Sequence, residues 1–263
     1  MPLPTWFLSH GAPSHLLEDG PPRELWAALP RRLPETPRAL LCLSAHWQHP
    51  DPVLATATTL QYDFHGFPEA LYRTHWPLRD DPHTAAWLRQ RLRACLGSLE
   101  EDPERPLDHG VWVPLLPAWP APPFPVYQLT LPLDPESAWD LGRRLAPLRA
   151  DGVLLVGSGG LTHNLRRLHW DAPPGQAEPW AAAFVDAVEA ALAAHDPAPL
   201  LDPWTLPHGR DAHPTLEHYL PLLAALGAAA GELGAAAGEP CTPLLRHWAF
   251  ATLALHGYAF GDA

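Results

Sequence analysis

Apolar residues in this chain come in short runs that stop at turn residues. Six of these runs have the length and the aliphatic and aromatic content of strands: 3–9, 38–46, 52–57, 124–131, 152–157 and 246–256. Longer segments with helical patterning lie at 21–30, 82–97, 135–149, 178–195 and 216–226. Asp134-Pro135-Glu136 marks one helix start, with a capping side chain, a proline at the first helical position and a carboxylate in the first turn. Strands alternating with helices predict an α/β sandwich, in which helices flank a central sheet that is largely parallel or mixed. The late run 246–260 reads as an antiparallel or edge addition. No repeat and no long polar linker divides the 263 residues, so one domain over 1–263 is expected. The Ala/Gly-rich stretch at 224–238 reads as a helix end followed by a surface loop.

Histidine placement turns this pattern of elements into a candidate site. Three of the apolar runs each deliver one: TWFLSHG ends at His10-Gly11, ALLCLSAHW carries His46, and VLLVGSGGLTHN carries His163. A fourth, His218, sits in HPTLEHYLPLL. Ligands of open α/β sheets gather where the carboxyl ends of the strands emerge, so histidines delivered there can converge. Imidazole is both the commonest protein metal ligand and the side chain best matched to proton transfer near neutral pH. A metal site, an acid–base site or both are therefore open.

Each of these residues also has a plainer role to weigh. A histidine in a turn can simply bond the backbone, and the glycines of Gly157-Ser158-Gly159-Gly160 can cradle an anion or serve tight packing that presents His163 and Asn164. Asp108 beside His109 is consistent with an oriented imidazole, or with a turn ahead of the buried-looking run VWVPLLPAW. Neighbours on a helix point about 100° apart, so of Glu217 and His218 only one is expected to face a shared metal. The aromatic stretch from Tyr62 to Trp76 suits stacking on a flat ligand, or equally a satellite hydrophobic cluster. Ser44 and Ser158 lack the elbow of a serine hydrolase and read as small turn residues.

Composition narrows the function classes further. A formal net charge of −12 with no basic stripe argues against nucleic acid as a partner. Charged residues or proline interrupt every apolar stretch before it reaches the length of a membrane span, and the N-terminus reads as a first strand rather than an export signal. A cytoplasmic protein, monomeric or a small homo-oligomer, is expected. Cys42, Cys95 and Cys241 are odd in number and far apart, which fits reduced structural thiols. The chain contains no lysine, so Schiff-base and Walker-type chemistry fall away.

Seven motifs in order, LSHGAP, LSAHW, DFHGFPEALY, LDHGVWVPL, FPVYQLTL, GSGGLTHNL and HPTLEHYLPLL, together resemble the DODA-type (DOPA 4,5-dioxygenase-like) branch of the class III extradiol ring-opening dioxygenases, in the LigB-like superfamily. The resemblance spans nearly the whole chain. It implies one divalent metal, Fe(II) for activity with Zn(II) as another species that can bind, and as substrates a small aromatic diol and O2. Carried over motif by motif, His10, His46 and His218 match metal ligands, with Glu217 in reserve for the third. His163 matches the catalytic base and a fourth ligand, and His109 a second active-site histidine. The stretch Leu78-Arg79-Asp80 departs from the small residues usual in the family at that point. The competing readings are a zinc-dependent hydrolase using the same cluster, and a metal-binding protein without catalysis on the same fold.

Overall fold

The computed structural model describes residues 1–173, 175–230 and 240–261. Its strands are β1 (Thr5–Ser9), β2 (Ala39–Gln48), β3 (Val53–Ala55), β4 (Glu100–Asp102), β5 (Val126–Leu131), β6 (Val153–Gly159), β7 (Cys241–Leu245), β8 (Trp248–Ala249), β9 (Leu253–Ala254) and β10 (Gly257–Phe260). The α-helices are α1 (Pro21–Ala28), α2 (Glu69–Tyr72), α3 (Pro82–Leu96), α4 (His109–Ala118), α5 (Pro135–Leu145), α6 (Pro147–Ala150), α7 (Pro179–Ala193), α8 (Gly209–Ala212) and α9 (Leu220–Ala230). Eight strands form one sheet in the order β4-β3-β5-β2-β6-β1-β10-β7. Its centre, β5-β2-β6-β1, is parallel, while β10 runs antiparallel to β1 and β3 antiparallel to β5. The mixed α/β sandwich is therefore as expected.

Strand alternation sorts successive residues into two core layers. Phe7, Leu41, Leu43, Leu129 and Leu155 pack on one face against α3, α5, α7 and α9. Trp6, Leu8, Leu40, Cys42, Leu154 and Val156 pack on the other against α1 and α4. Burial on both faces explains why the central strands read as nearly unbroken apolar runs. None of Cys42, Cys95 and Cys241 is in a disulfide. No helix among the described residues is long and apolar enough to cross a membrane.

Several boundaries differ from the sequence reading, each for a local reason. The expected strand 246–256 is instead the hairpin β8–β9, which reverses through Phe250 and Ala251 at φ 51° and 57°. The late antiparallel addition is β10, with β7 at the sheet edge beyond it. The helix expected over 135–149 divides at Pro147, whose missing N–H ends the run of α5 and opens α6. The segment 216–226 becomes helical only at Leu220, so His218 stands in the turn before α9. The buried-looking run VWVPLLPAW, given neither strand nor helix by its pattern, lies on α4 as far as Ala118, with Pro114 and Pro117 inside. Helix α9 continues to Ala230, and the 231–238 part of the expected surface loop lies outside the described residues.

Candidate metal centre

Sheet register brings the first two histidines together. Leu8 of β1 and Ser44 of β2 both pair with Ser158 of β6, so the three residues are level across the sheet. Two residues further along, on the same face, stand His10 and His46. Their Nε2 atoms lie 3.1 Å apart and their ring centroids 5.0 Å apart. His109 arrives from the first turn of α4, its ring 4.0 Å from that of His46 and 5.3 Å from that of His10. The turn before α9 brings the ring of His218 to 5.0 Å from His46 and 5.4 Å from His10. His163 lies flat against His218, with centroids 3.4 Å apart and planes at 8°. All five histidines singled out in the sequence thus share one site.

The glycine run after β6 makes this convergence possible by close packing. A Cβ on Gly159 would stand 2.2 Å from the carbonyl oxygen of His218, and one on Gly157 would stand 2.1 Å from that of Pro221. The bare backbone of β6 therefore lies directly against the segment that carries His218, and Gly160 N donates to His218 O at 2.9 Å. Of the two roles open for these glycines, tight packing is the one seen. Asn164 does not face the crevice as expected: its Nδ2 donates to Asp211 O and its Oδ1 caps a short 3-10 turn.

Each ring is oriented from behind. Ser158 Oγ donates to the carbonyl of Gly110, so the hydroxyl can only accept from His10 Nδ1, 3.0 Å away. The proton of His10 is thereby placed on Nδ1, and the lone pair of Nε2 faces His46. That carbonyl is available because Pro114, four residues on in α4, has no N–H to offer it. His218 Nδ1 is bonded to Glu217 Oε1 at 3.2 Å, which turns its Nε2 into the site. Glu217 also accepts from Thr215 Oγ1 at 3.0 Å, so of the Glu217–His218 pair the carboxylate is the member turned back.

Two sequence readings need correction here. The carboxylate that orients His109 is Asp63, accepting from Nδ1 at 2.9 Å, and not its neighbour Asp108. Asp108 points into the protein, where it accepts from Ser44 Oγ at 2.7 Å and from Gln128 Nε2. Ser44 and Ser158 are accordingly strand residues with fixed hydrogen-bonding roles, and not small turn residues. In the aromatic stretch, Phe64 and Trp76 are buried in the second core layer and His65 and His75 are exposed. Phe64 sets its ring edge-on to His109, with centroids 5.8 Å apart. Both roles weighed for the stretch thus have a foothold, core packing and contact with the site.

Electrostatics favour neutral imidazoles. Burial, and then repulsion among the rings themselves, holds His10 and His218 well below the ordinary histidine range. Burial first also lowers His46 and His163. Burial would push the Asp63 carboxyl up, but its hydrogen bond and proximity to His109 prevail and it lies below the usual carboxylate value. Burial raises the Asp108 carboxyl against its two hydrogen bonds.

The donor set fits a divalent metal. Two imidazole nitrogens 3.1 Å apart have the spacing of ligands that share one cation at roughly 2.1 Å each. Ligand atoms of His10, His46 and His109 all lie within 4.8 Å of one another, as do those of His163, Glu217 and His218. The three imidazole nitrogens of the first group suit iron or zinc, while the second group includes the Glu217 carboxylate.

Comparison with known proteins decides what the arrangement belongs to. Residues 4–252 match the family model described as the catalytic LigB subunit of aromatic ring-opening dioxygenase. The chain belongs to the LigB family. This dioxygenase is 38% identical over 240 residues to the 4,5-DOPA dioxygenase extradiol of Escherichia coli (strain K12), covering 88% of this chain and 86% of that protein. It is 36% identical to the 4,5-DOPA dioxygenase extradiol of Beta vulgaris, covering 86% of each. The protein of the same description from Portulaca grandiflora is 34% identical, covering 97% of this chain and 95% of that one. A crystal structure of an uncharacterized protein from Escherichia coli K12 superposes with a TM-score of 0.81 at 32% identity, covering 98% of this chain and 100% of that one. The dioxygenase is thus an oxidoreductase of the extradiol aromatic ring-opening class.

Proposed function

We propose that this dioxygenase opens the ring of a small catechol-type diol of the DOPA kind with O2, at one divalent metal held by His10, His46 and His218. The observation that carries the proposal is the convergence of these rings at the strand ends, with the Nε2 atoms of His10 and His46 3.1 Å apart and the Nδ1 atoms of His10 and His218 tied back by Ser158 and Glu217. His163, stacked on His218, is placed to be a fourth ligand or to stand beside the bound diol. Fe(II) is the metal proposed for activity, with Zn(II) able to occupy the same nitrogens. Once bound, the metal supplies a Lewis acid and a path for electrons between diol and O2.

The chain supplies the proton handling. Burial keeps His163 neutral, so its free nitrogen can take the proton of a catechol hydroxyl. His109, on the other side of the ligand set, handles a second proton. Both atoms of O2 end in the product as the carbon–carbon bond beside the diol breaks, so no external reductant is required. Buried aromatic side chains around His109, Phe64 and Trp112 among them, keep water from that side. One domain over residues 1–263, working in the cytoplasm, completes the proposal.

Anaerobic loading with Fe(II), followed by oxygen-electrode measurements with DOPA, protocatechuate and catechol, tests it. The expected result is uptake of about one O2 per diol with formation of a yellow semialdehyde. Absence of uptake with every diol, together with ester or amide hydrolysis by the zinc-loaded protein, would transfer the site to hydrolytic chemistry.

A further inference from the structure

His109 opens α4 with two of its N–H groups on a single oxygen. The backbone N donates to Asp63 Oδ1 at 3.1 Å and the ring Nδ1 donates to the same atom at 2.9 Å. Asp63 comes from 46 residues upstream, in the loop between β3 and α2. The contact is sheltered, with the two side chains only 10% and 17% exposed. An ionised carboxylate has acceptors and no donor, so in a neutral His109 ring the proton belongs on Nδ1 and the lone pair on Nε2.

The loop is fastened to α4 a second time. Trp112 Nε1, almost one turn along the helix, donates to Gln61 O at 3.0 Å. Phe64, adjacent to Asp63, lies edge-on to the His109 ring and packs with Trp112 at 5.9 Å between centroids. The aromatic rim and the His109 ring are therefore held as one body. His163 is supported differently: its ring rests on the face of His218, and its backbone N donates to Ala212 O at 2.9 Å. Among the described residues no carboxylate hydrogen-bonds the His163 ring.

We infer that Asp63 is a positioning residue for the ring-opening reaction: by accepting both N–H groups of His109 it fixes that ring's orientation and tautomer, so that Nε2 meets the reacting molecules as an acceptor. The inference rests on the reading of His109 as a proton-handling group and deepens it.

Zinc-loaded protein with 15N-labelled histidine, which is diamagnetic, reports the tautomer directly through long-range 1H–15N correlations. Turnover is read in parallel on Fe(II)-loaded protein with DOPA as the probe. In the wild type His109 is expected in the Nδ1–H form. Asp63→Ala should lose that form and lower kcat by about 10–100-fold, with KM within about threefold and metal content unchanged. Asp63→Asn keeps an oxygen that can accept both N–H groups, so it should restore the tautomer and most of kcat. Should Asp63→Ala not fold, Asp63→Ser replaces it, since its hydroxyl is too short to reach both donors. Retention of the Nδ1–H form in Asp63→Ala with kcat within about twofold of wild type overturns the inference, as does an Asn variant as impaired as Ala in both readouts. Wild-type turnover in His109→Ala would instead overturn the parent reading. An inactive His109→Ala beside an unaffected Asp63→Ala overturns this one alone.

Discussion

Single side chains in this site differ in what holds them, and that difference predicts how they fail. His10 and His218 present Nε2 because an acceptor behind each ring holds the proton on Nδ1. His163 is kept in place by stacking, with burial keeping it neutral. Replacing it with Ala should therefore leave most of the metal-binding nitrogens intact while removing a proton acceptor. Turnover is expected to fall by about 10²–10⁴-fold, with metal content by elemental analysis at or near one equivalent. Loss of the metal together with the activity would make His163 chiefly a ligand, and unchanged turnover would remove it as the base. At this scale His10, His46 and His163 were legible because they follow strand-like runs, and His109 and His218 through the motifs around them, whereas Asp63 was not. Nothing local links Asp63 to His109, and the carboxylate adjacent in sequence, Asp108, is drawn inward by Ser44 and Gln128.

Elements show why some of the fold could be read and some could not. The central strands announced themselves because burial on both faces demands continuous apolar residues. Helix α4 was hidden by Pro114 and Pro117, which argue against a helix interior on local grounds. The structure turns the first of these prolines to use, since the missing N–H leaves the Gly110 carbonyl free for Ser158 and hence fixes His10. Pro114→Ala should therefore have effects of opposite sign. The helix gains a hydrogen bond and its thermal midpoint should stay level or rise, while competition for that carbonyl loosens Ser158 and weakens metal affinity by about 10-fold or more. Calorimetry of the apo protein and competitive metal titration measure the two; equal affinity would detach Pro114 from the site. The glycine run gives a second test, because a Cβ at position 159 meets backbone rather than a movable side chain. Gly159→Ala should cost about 1–3 kcal/mol in urea unfolding and displace the turn that carries His218.

For the molecule as a whole, the price of gathering so many buried imidazoles is sensitivity to acid. His213 is fully buried, donates Nε2–H to Leu161 O at 2.8 Å and packs between Phe184 and Tyr219; burial lowers it to about 4. Burial likewise lowers His256 to about 4, despite Glu189 beside it. In the unfolded chain both would titrate near 6.5. Between about pH 6.5 and pH 4 the unfolded state therefore binds more protons than the native state, so stability is full above 6.5 and falls as the pH drops through this window. Each such residue can contribute a loss on the order of 3 kcal/mol by the bottom of the window. His10 and His218 shift in the same direction and add to the slope until a metal occupies their nitrogens, after which protons must displace it. Urea unfolding of metal-free protein at several pH values from 7.5 to about 4.5 should show this decline, with a shallower decline in the zinc-loaded protein. His213→Gln, whose amide can still donate to Leu161 O, should flatten the metal-free profile by about one proton's worth of slope. A metal-free profile that is flat across the window would mean that the buried imidazoles accept protons in the native state as readily as in the unfolded one, and the neutral, metal-ready cluster on which the site depends would then have no electrostatic basis.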